Sequence, residues 1–311
     1  MRRALVLLTH VVLAIALSGQ VQPQGQTPTR SYMAAAYSAG PAFTGMQRLM
    51  LFPPKGEAAV TIPLPFPLGG ITYSPDGGAL YATAGLSAPG EPRRSGVLKI
   101  QFSPTRVSPV PGSEGFRFRS GAAVSQRQDK MVVAGRYWNG EKLACGVFEL
   151  SFGAGGVRQV LESQDCDDAI KRTGISLSPD ATKAVAIYRT SLELIDIASG
   201  ASKIVGAGFH SAAWSPDGRW VAAVKEGGSG ATVLLDASTF RQMRTLGSAK
   251  VIWSPDSRYL LASGWQMPCG PYGYSFEKVD IETGKRSTID SSKCRVVGND
   301  IGWVDAGIAP R

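Results

Sequence analysis

Few residues of the 311-residue chain have the types and spacing that catalysis requires. Histidine occurs only at His10 and His210, so a metal site built from histidines is excluded. The first of these lies in an N-terminal apolar run, which leaves only His210 for a Ser-His-Asp triad. The chain has no Gly-x-Ser-x-Gly sequence, the turn that exposes a nucleophilic serine in many hydrolases. We therefore predict a noncatalytic protein without a cofactor, in which His210 is a hydrogen-bonded loop residue.

Acidic residues are the remaining candidates for a metal site. Asp165, Asp167 and Asp168 lie together in one loop, and Ca²⁺ is bound by such oxygen ligands. They lack the glycine and the distal glutamate of an EF-hand, which favours a solvated acidic loop. Asn299 and Asp300 are further oxygen donors. We predict no metal, with these residues as the alternative ligands.

The N-terminus has the three parts of a secretory signal peptide. Arg2 and Arg3 precede an apolar run over residues 4–17, and small residues follow. This run is shorter than the roughly 20 residues that a membrane-spanning helix needs. We predict a signal peptide at residues 1–18 and a flexible leader at residues 19–31. The protein is then exported, periplasmic or extracellular, with no transmembrane segment after signal removal.

Composition limits the fold and the partners. Hydrophobic residues make up 43% of the chain and charged residues 18%, with 37 glycines and 20 prolines, which favours short strands and turns over a helical bundle or disorder. The net charge of +9 falls to +7 without Arg2 and Arg3. The basic residues are scattered, so we predict no nucleic-acid partner.

The chain has four cysteines, and an even number in an exported protein suggests two disulfides. Four cysteines allow three pairings, and the cysteine count alone does not choose among them.

A repeated Ser-Pro-Asp phrase organises the rest of the chain. Proline presets φ at the second position of a turn, aspartate accepts a backbone N–H, and glycine supplies a positive φ. Apolar runs of strand length flank each copy, so each phrase predicts two strands, a and b, joined by a tight turn. The clearest copies are Ser74–Gly77, Ser178–Asp180, Ser215–Gly218 and Ser254–Asp256, with degenerate copies at Ala122–Ser125 and Ile301–Trp303.

A second phrase with an Asp- or Gly-containing turn follows each first one and predicts strands c and d. The N-terminus carries strands b, c and d without strand a, and the C-terminus carries strand a alone. Joining the two would close a ring. We therefore predict an all-β fold over residues 32–311, a single six-bladed β-propeller of four-stranded antiparallel blades closed by N-terminal strands plus a C-terminal strand.

These repeats resemble those of the TolB-like six-bladed propeller family, in which Ser-Pro-Asp-Gly precedes an apolar strand and a Leu-x-x-x-Asp-x-x-(Thr/Ser)-Gly turn. Residues 192–200 have the second part of this pattern. The resemblance covers about residues 32–311 but no separate α/β domain such as TolB carries before its propeller. It implies the fold and an extracytoplasmic interaction role, and it implies no reaction.

In a propeller the a–b and c–d turns lie at one end, the turn face, and the b–c and d–a connections lie at the other, the loop face. Trp214, Trp253 and Trp303 fall inside strand a and are predicted to be packing residues. Cysteines occur twice in the same arrangement on the loop face, once in a b–c connection and once in the following d–a connection. We therefore predict the disulfides Cys145–Cys166 and Cys269–Cys294.

Aromatic and arginine side chains of the loop face are the candidate binding residues, since both types are enriched at binding hot spots. They are Tyr137, Trp138, Trp265, Tyr272, Tyr274, Arg93, Arg94, Arg136 and Arg189. The leading hypothesis is a monomeric, noncatalytic propeller that binds a protein or an envelope polymer through this face. The alternatives are a propeller hydrolase or lactonase with a carboxylate-held metal near the channel mouth, and a structural module of an envelope assembly.

Overall fold

The computed structural model describes residues 31–38, 47–52, 60–64, 68–85, 95–102, 105–117, 122–153, 156–227, 231–247, 252–265, 273–296 and 301–305. The predicted signal peptide and most of the predicted leader lie outside these residues. Within them, no helix is long and apolar enough to cross a membrane.

The described strands form six antiparallel sheets, which are numbered here in chain order. Sheet 1 comprises β1 (Ser31–Ser38), β2 (Gln47–Phe52), β3 (Val60–Leu64) and β25 (Ile301–Asp305). Sheet 2 comprises β4 (Leu68–Tyr73), β5 (Ala79–Gly85), β6 (Ser95–Phe102) and β7 (Thr105–Pro109). Sheet 3 comprises β8 (Phe116–Arg117), β9 (Ala122–Val124), β10 (Lys130–Trp138), β11 (Leu143–Ser151) and β12 (Val157–Glu162).

The last three sheets have four strands each. Sheet 4 comprises β13 (Arg172–Leu177), β14 (Lys183–Tyr188), β15 (Ser191–Asp196) and β16 (Ser202–Ala207). Sheet 5 comprises β17 (Phe209–Trp214), β18 (Trp220–Lys225), β19 (Thr232–Asp236) and β20 (Gln242–Thr245). Sheet 6 comprises β21 (Ile252–Trp253), β22 (Tyr259–Trp265), β23 (Gly273–Asp280) and β24 (Arg286–Val296). One short helix, α1 (Cys166–Ile170), lies between sheets 3 and 4.

Two sheets depart from simple chain order. In sheet 1 the C-terminal strand β25 pairs with β1, as the sequence predicts. Sheet 3 has a fifth strand because its first strand is interrupted. β8 pairs with the end of β10, where Phe116 faces Tyr137, and β9 pairs with the beginning of β10, where Ala122 faces Val133. Together β8 and β9 occupy the place of one strand, so sheet 3 is a four-stranded unit with a broken first strand.

The sheets pack against one another through their first strands. β9 contacts β4 and β13, β17 contacts β13 and β21, and β25 contacts β21 and β4. Antiparallel four-stranded sheets arranged in this way form a β-propeller. The predicted all-β propeller of four-stranded antiparallel blades is therefore confirmed.

The core lies between neighbouring sheets, as β14 illustrates. Ala184 and Ala186 pack in the cluster shared with sheet 3, whereas Val185 and Ile187 pack in the cluster shared with sheet 5. All four side chains are fully buried. A strand covered on both faces needs apolar residues at every position. This explains why the predicted b strands are continuous apolar runs rather than alternating ones.

Each Ser-Pro-Asp phrase forms the predicted turn through the same hydrogen bonds. In the first copy the hydroxyl of Ser74 donates to Asp76 Oδ1 (2.6 Å) and accepts the backbone N–H of Ala79 (2.8 Å). Gly77 has φ = 70°, and its N–H donates to the carbonyl of Ser74. The serine-to-aspartate bond recurs at Ser178, Ser215 and Ser254. These serines are buried, so the phrase is an architectural element.

Tryptophans at the ends of the first strands pack as predicted. Trp214 and Trp253 are buried, and the indole N–H of Trp253 donates to the carbonyl of Ala213 in the neighbouring sheet (2.8 Å). The side chain of Trp303 lies outside the described residues.

Candidate functional site

The β10–β11 hairpin extends beyond the outer strand β12 on the loop face. β10 and β11 pair from Lys130 with Ser151 to Trp138 with Leu143. The outer strand β12 pairs with β11 only from Gly146 onward. The last part of the hairpin, residues 136–145, is called the hairpin end below.

Two large apolar side chains are exposed at the hairpin end. Trp138 is 50% exposed and Leu143 is 49% exposed. They are direct cross-strand partners, and such partners lie close enough for their side chains to touch. The hairpin end therefore presents an aromatic and an aliphatic side chain side by side to solvent.

The turn that follows Trp138 is fixed by one asparagine. Asn139 Oδ1 accepts the backbone N–H groups of Glu141 and Lys142, both at 2.9 Å. Gly140 adopts φ = 99°, a backbone conformation that residues other than glycine rarely adopt. The turn is thus locally determined by the sequence Asn-Gly-Glu-Lys.

Aromatic packing supports the hairpin from the side of the first strand. The rings of Tyr137 and Phe116 stack with centroids 4.7 Å apart, and Tyr137 meets Phe148 edge to face at 5.9 Å. Tyr137 is half-buried by these contacts. Tyr137 therefore supports the hairpin, while the side chain of the neighbouring Trp138 is exposed to solvent.

A disulfide and an ion pair join the other side of the hairpin end to α1. Cys145 is bonded to Cys166, with Cα atoms 5.0 Å apart, which confirms the predicted pairing. Arg136, the cross-strand partner of Cys145, donates to Asp167 Oδ1 at 2.9 Å. Ala169 of α1 is fully buried. The short helix thus covers the edge of β11 that β12 leaves unpaired.

A buried charged network fixes the chain where α1 leads into β13. Arg172 donates to both carboxylate oxygens of Glu193, at 2.8 and 3.3 Å, and to Ser163 Oγ at 2.8 Å. The guanidinium lies 4.6 Å from the centroid of the Tyr188 ring. Arg172 and Glu193 are both buried. This network links the loop after β12 to sheet 4.

The other predicted binding residues lie elsewhere on the loop face. Arg189 follows β14 with φ = 59°, and its guanidinium lies 5.5 Å from the centroid of the Tyr188 ring. Trp265 and Tyr274 are cross-strand partners in β22 and β23, but their side chains lie outside the described residues, as do Tyr272, Arg93 and Arg94. Cys294 lies in β24 and Cys269 lies outside the described residues, so their predicted disulfide remains a prediction.

The candidate metal ligands have other partners where they are described. Asp167 pairs with Arg136, and Asp165 Oδ1 accepts the N–H of Asp167 (2.9 Å). In the described ranges, no three His, Cys, Asp or Glu side chains form a group that could hold a metal. Asn299, Asp300 and the side chain of Asp168 are not among the described parts of the chain. His210, predicted in a loop, lies near the start of β17 and is exposed.

Sequence reasoning missed Leu143 and the Arg172–Glu193 pair. Leu143 follows a charged turn and looks like the buried start of a strand, but it is exposed because the hairpin extends past β12. Arg172 and Glu193 are 21 residues apart, and no repeat marks them. Both features become visible only when the pairing of the strands is known.

These features define the class: a β-propeller with a disulfide-anchored, aromatic hairpin end on its loop face. No family model matches the chain, and no curated protein matches it by sequence. Solved structures do match it in fold. TolB from Acinetobacter baumannii has a TM-score of 0.63 at 13% identity, with 88% of this chain and 66% of that protein covered.

A protein assigned as TolB from Agrobacterium tumefaciens has a TM-score of 0.54 at 14% identity, with 84% of this chain and 88% of that protein covered. An oligogalacturonate lyase in complex with manganese has a TM-score of 0.48 at 16% identity, with 84% and 73% covered. The lyase similarity is too low to bear on function. The TolB similarities establish a TolB-like propeller fold, and the chain spans just under two thirds of the length of the A. baumannii protein.

Proposed function

We propose that this chain is an exported, noncatalytic propeller that binds a partner protein through the loop face, with Trp138 and Leu143 of the hairpin end at the centre of the contact. The observation that carries this proposal is the exposure of both side chains, 50% and 49%, as direct neighbours. Trp and Arg are enriched at binding hot spots, and Arg136 lies two residues before Trp138 on the same face of β10.

The anchoring of the hairpin end supports the same proposal. Binding costs less when the contact residues are ordered beforehand. The Cys145–Cys166 disulfide, the Arg136–Asp167 ion pair and the stacked Tyr137 ring hold the strands that carry the two exposed side chains. An envelope polymer, the other predicted partner class, would use the same tryptophan.

Export and blade number are part of the proposal. A structural disulfide favours an oxidising compartment such as the periplasm or the cell exterior. We also propose that all six sheets are blades of one closed ring. The continuous chain of contacts from β4 through β9, β13, β17, β21 and β25 back to β4 supports this count, and sheet 3 joins it as a four-stranded blade with a broken first strand.

The hydrolase or lactonase hypothesis needs oxygen donors near the channel mouth, for which the sequence offers Asn299, Asp300 and the Asp165–Asp168 loop. Asn299 and Asp300 lie outside the described residues, and Asp167 pairs with Arg136. This hypothesis remains an alternative prediction without an observation that favours it.

The test is capture of a partner from envelope extract by immobilised wild-type chain, followed by a binding titration. Trp138→Ala with Leu143→Ser should weaken binding at least tenfold. The matched control is Ile204→Ser with Met243→Ser, which removes two equally exposed apolar side chains (55% and 49%) from outer strands. Equal loss in both double variants, or no loss in the first, contradicts the proposal. Binding that survives protease treatment of the extract points to a polymer instead of a protein.

A further inference from the structure

The turn of the hairpin end contains the only Asn-Gly pair of the chain, Asn139–Gly140. Both residues are exposed, as are the following Glu141 and Lys142. The backbone nitrogen of a glycine can attack the side-chain amide of a preceding asparagine, because glycine has no Cβ that hinders the approach. The pair is therefore a candidate site for spontaneous deamidation.

The geometry of this turn favours the attack. In the described part of the chain, no residue accepts a hydrogen bond from the Gly140 N–H. A Cβ placed on Gly140 would meet no described atom within 4 Å, so a ring has room to close there. Asn139 Oδ1 accepts the N–H groups of Glu141 and Lys142, both at 2.9 Å. These two donors polarise the amide carbonyl and stabilise the negative charge that develops on its oxygen during the attack.

Two Asp-Gly pairs on the turn face, Asp76–Gly77 and Asp217–Gly218, provide an internal comparison. They could react through the same cyclic imide. In both pairs, however, the glycine N–H donates to a serine carbonyl of its own turn, at 2.9 and 3.0 Å. An ionised carboxylate is also less easily attacked than an amide. The reaction is therefore hindered at the turn face and unhindered at the hairpin end.

We propose that Asn139 is a self-modification site, at which the folded chain converts an amide into a carboxylate without an enzyme. The Gly140 nitrogen bonds to Cγ of Asn139, the Cγ–Nδ2 bond breaks, and the proton of the glycine nitrogen leaves with the ammonia through water. A water molecule then opens the cyclic imide. Addition of water at Cγ gives aspartate, whereas addition at the main-chain carbonyl carbon gives isoaspartate, in which the backbone runs through Cγ.

Isoaspartate at residue 139 disrupts the hairpin end, because it adds a carbon atom to the backbone of a tight turn. That turn is closed by the hydrogen bond from the N–H of Asn139 to the carbonyl of Lys142 (3.3 Å). The turn fixes the register of a hairpin, and this register places Trp138 opposite Leu143. We therefore expect the conversion to weaken partner binding. This consequence rests on the proposed function, whereas the reaction itself does not.

Ageing of the purified full chain in water labelled with heavy oxygen tests the reaction, at mildly alkaline pH. Trypsin releases residues 137–142 as one peptide, and labelled aspartate and isoaspartate should accumulate in it. Gly140→Ala should slow the accumulation at least fivefold, and Asn139→Ser should abolish it. Peptides that contain Asp76 or Asp217 should gain no isoaspartate. No conversion at residue 139, conversion only after unfolding in urea, or equal conversion at the Asp-Gly pairs would overturn the proposal.

The effect on binding is measured separately, by comparing aged with fresh samples of the same variant. Aged wild type, separated from the unmodified chain by ion exchange, should bind the captured partner at least threefold more weakly than fresh wild type. Asn139→Ser cannot form the imide, so its binding should not change with age. Conversion without a loss of binding would overturn the link to the partner. Failure of fresh wild type to bind any partner would instead contradict the proposed function, and the peptide analysis would still decide the reaction.

Discussion

The turn face of this propeller uses the same hydrogen bonds several times, whereas the hairpin end of the loop face is held by contacts of several different kinds. On the turn face a buried serine holds an aspartate at Ser74, Ser178, Ser215 and Ser254 alike. On the loop face the disulfide and the Arg136–Asp167 pair join the hairpin end to α1, and the Arg172–Glu193 pair fixes the chain that follows α1. Repetition therefore indicates architecture here, and the exposed Trp138 and Leu143 at the hairpin end indicate where a specific function can be placed.

Removal of Arg172 should give the largest effect. Arg172→Leu leaves the buried carboxylate of Glu193 without its partner, and breaking a buried pair in this way costs about 3–5 kcal/mol. Urea denaturation measures the loss. The double variant Arg172→Leu with Glu193→Leu should recover most of the stability, since no charge remains buried. A loss below about 1 kcal/mol for the single variant would mean that the network does not hold the loop face.

Loss of the disulfide should follow in size. Cys145→Ser with Cys166→Ser opens a loop with a sequence separation of 21 residues, for which chain entropy predicts a loss of about 3 kcal/mol. A thiol reductant should destabilise the wild type at least as much, because it would also break the predicted Cys269–Cys294 disulfide. Partner binding should weaken together with stability, because α1 supports the hairpin end. Unchanged binding in the folded double variant would show that the disulfide does not support the binding residues of the hairpin end.

The turn serines should each contribute less, and by similar amounts. Ser215→Ala removes the acceptor of the Trp220 N–H and the donor to Asp217, which should cost about 1–2 kcal/mol. The same substitution at Ser74, Ser178 or Ser254 should have an effect of the same size, and none should alter partner binding. Unequal losses, or a loss of binding by a folded variant, would show that one of these turns has a function of its own.

Acidification should have the smallest effect on stability, through protonation of the turn aspartates. The hydroxyl of Ser238 and then the backbone N–H of Thr239 lower the pKa of Asp236 to about 2, and the hydroxyl of Ser178 likewise lowers the pKa of Asp180. A lowered pKa in the folded state contributes stability above the unfolded value near 4, and this stability is lost as the pH falls through the folded value. We expect the urea midpoint to fall between about pH 4 and 2. Asp236→Asn should reduce this dependence slightly, and a midpoint that rises on acidification would contradict the assignment.

The architecture was largely predictable because short, repeated sequence motifs determine it locally. The Ser-Pro-Asp turns and their apolar flanks determine adjacent strands, and the repeated arrangement of cysteines predicts the Cys145–Cys166 bridge. The hairpin end was only partly predictable. Tyr137 and Trp138 are adjacent aromatic residues, yet Tyr137 packs against Phe116 and Phe148 whereas Trp138 is exposed, because successive side chains of a strand point to opposite faces of the sheet. Such differences depend on strand pairing, which the residues themselves do not reveal.

Hydrogen–deuterium exchange of the chain with and without its captured partner tests the central claim most directly. If the loop face is the binding face, protection on binding should appear at residues 136–145 and in α1, with the Ser-Pro-Asp turns at residues 74–77, 178–181, 215–218 and 254–257 unchanged. Protection confined to those turns, with none at the hairpin end, would contradict the account.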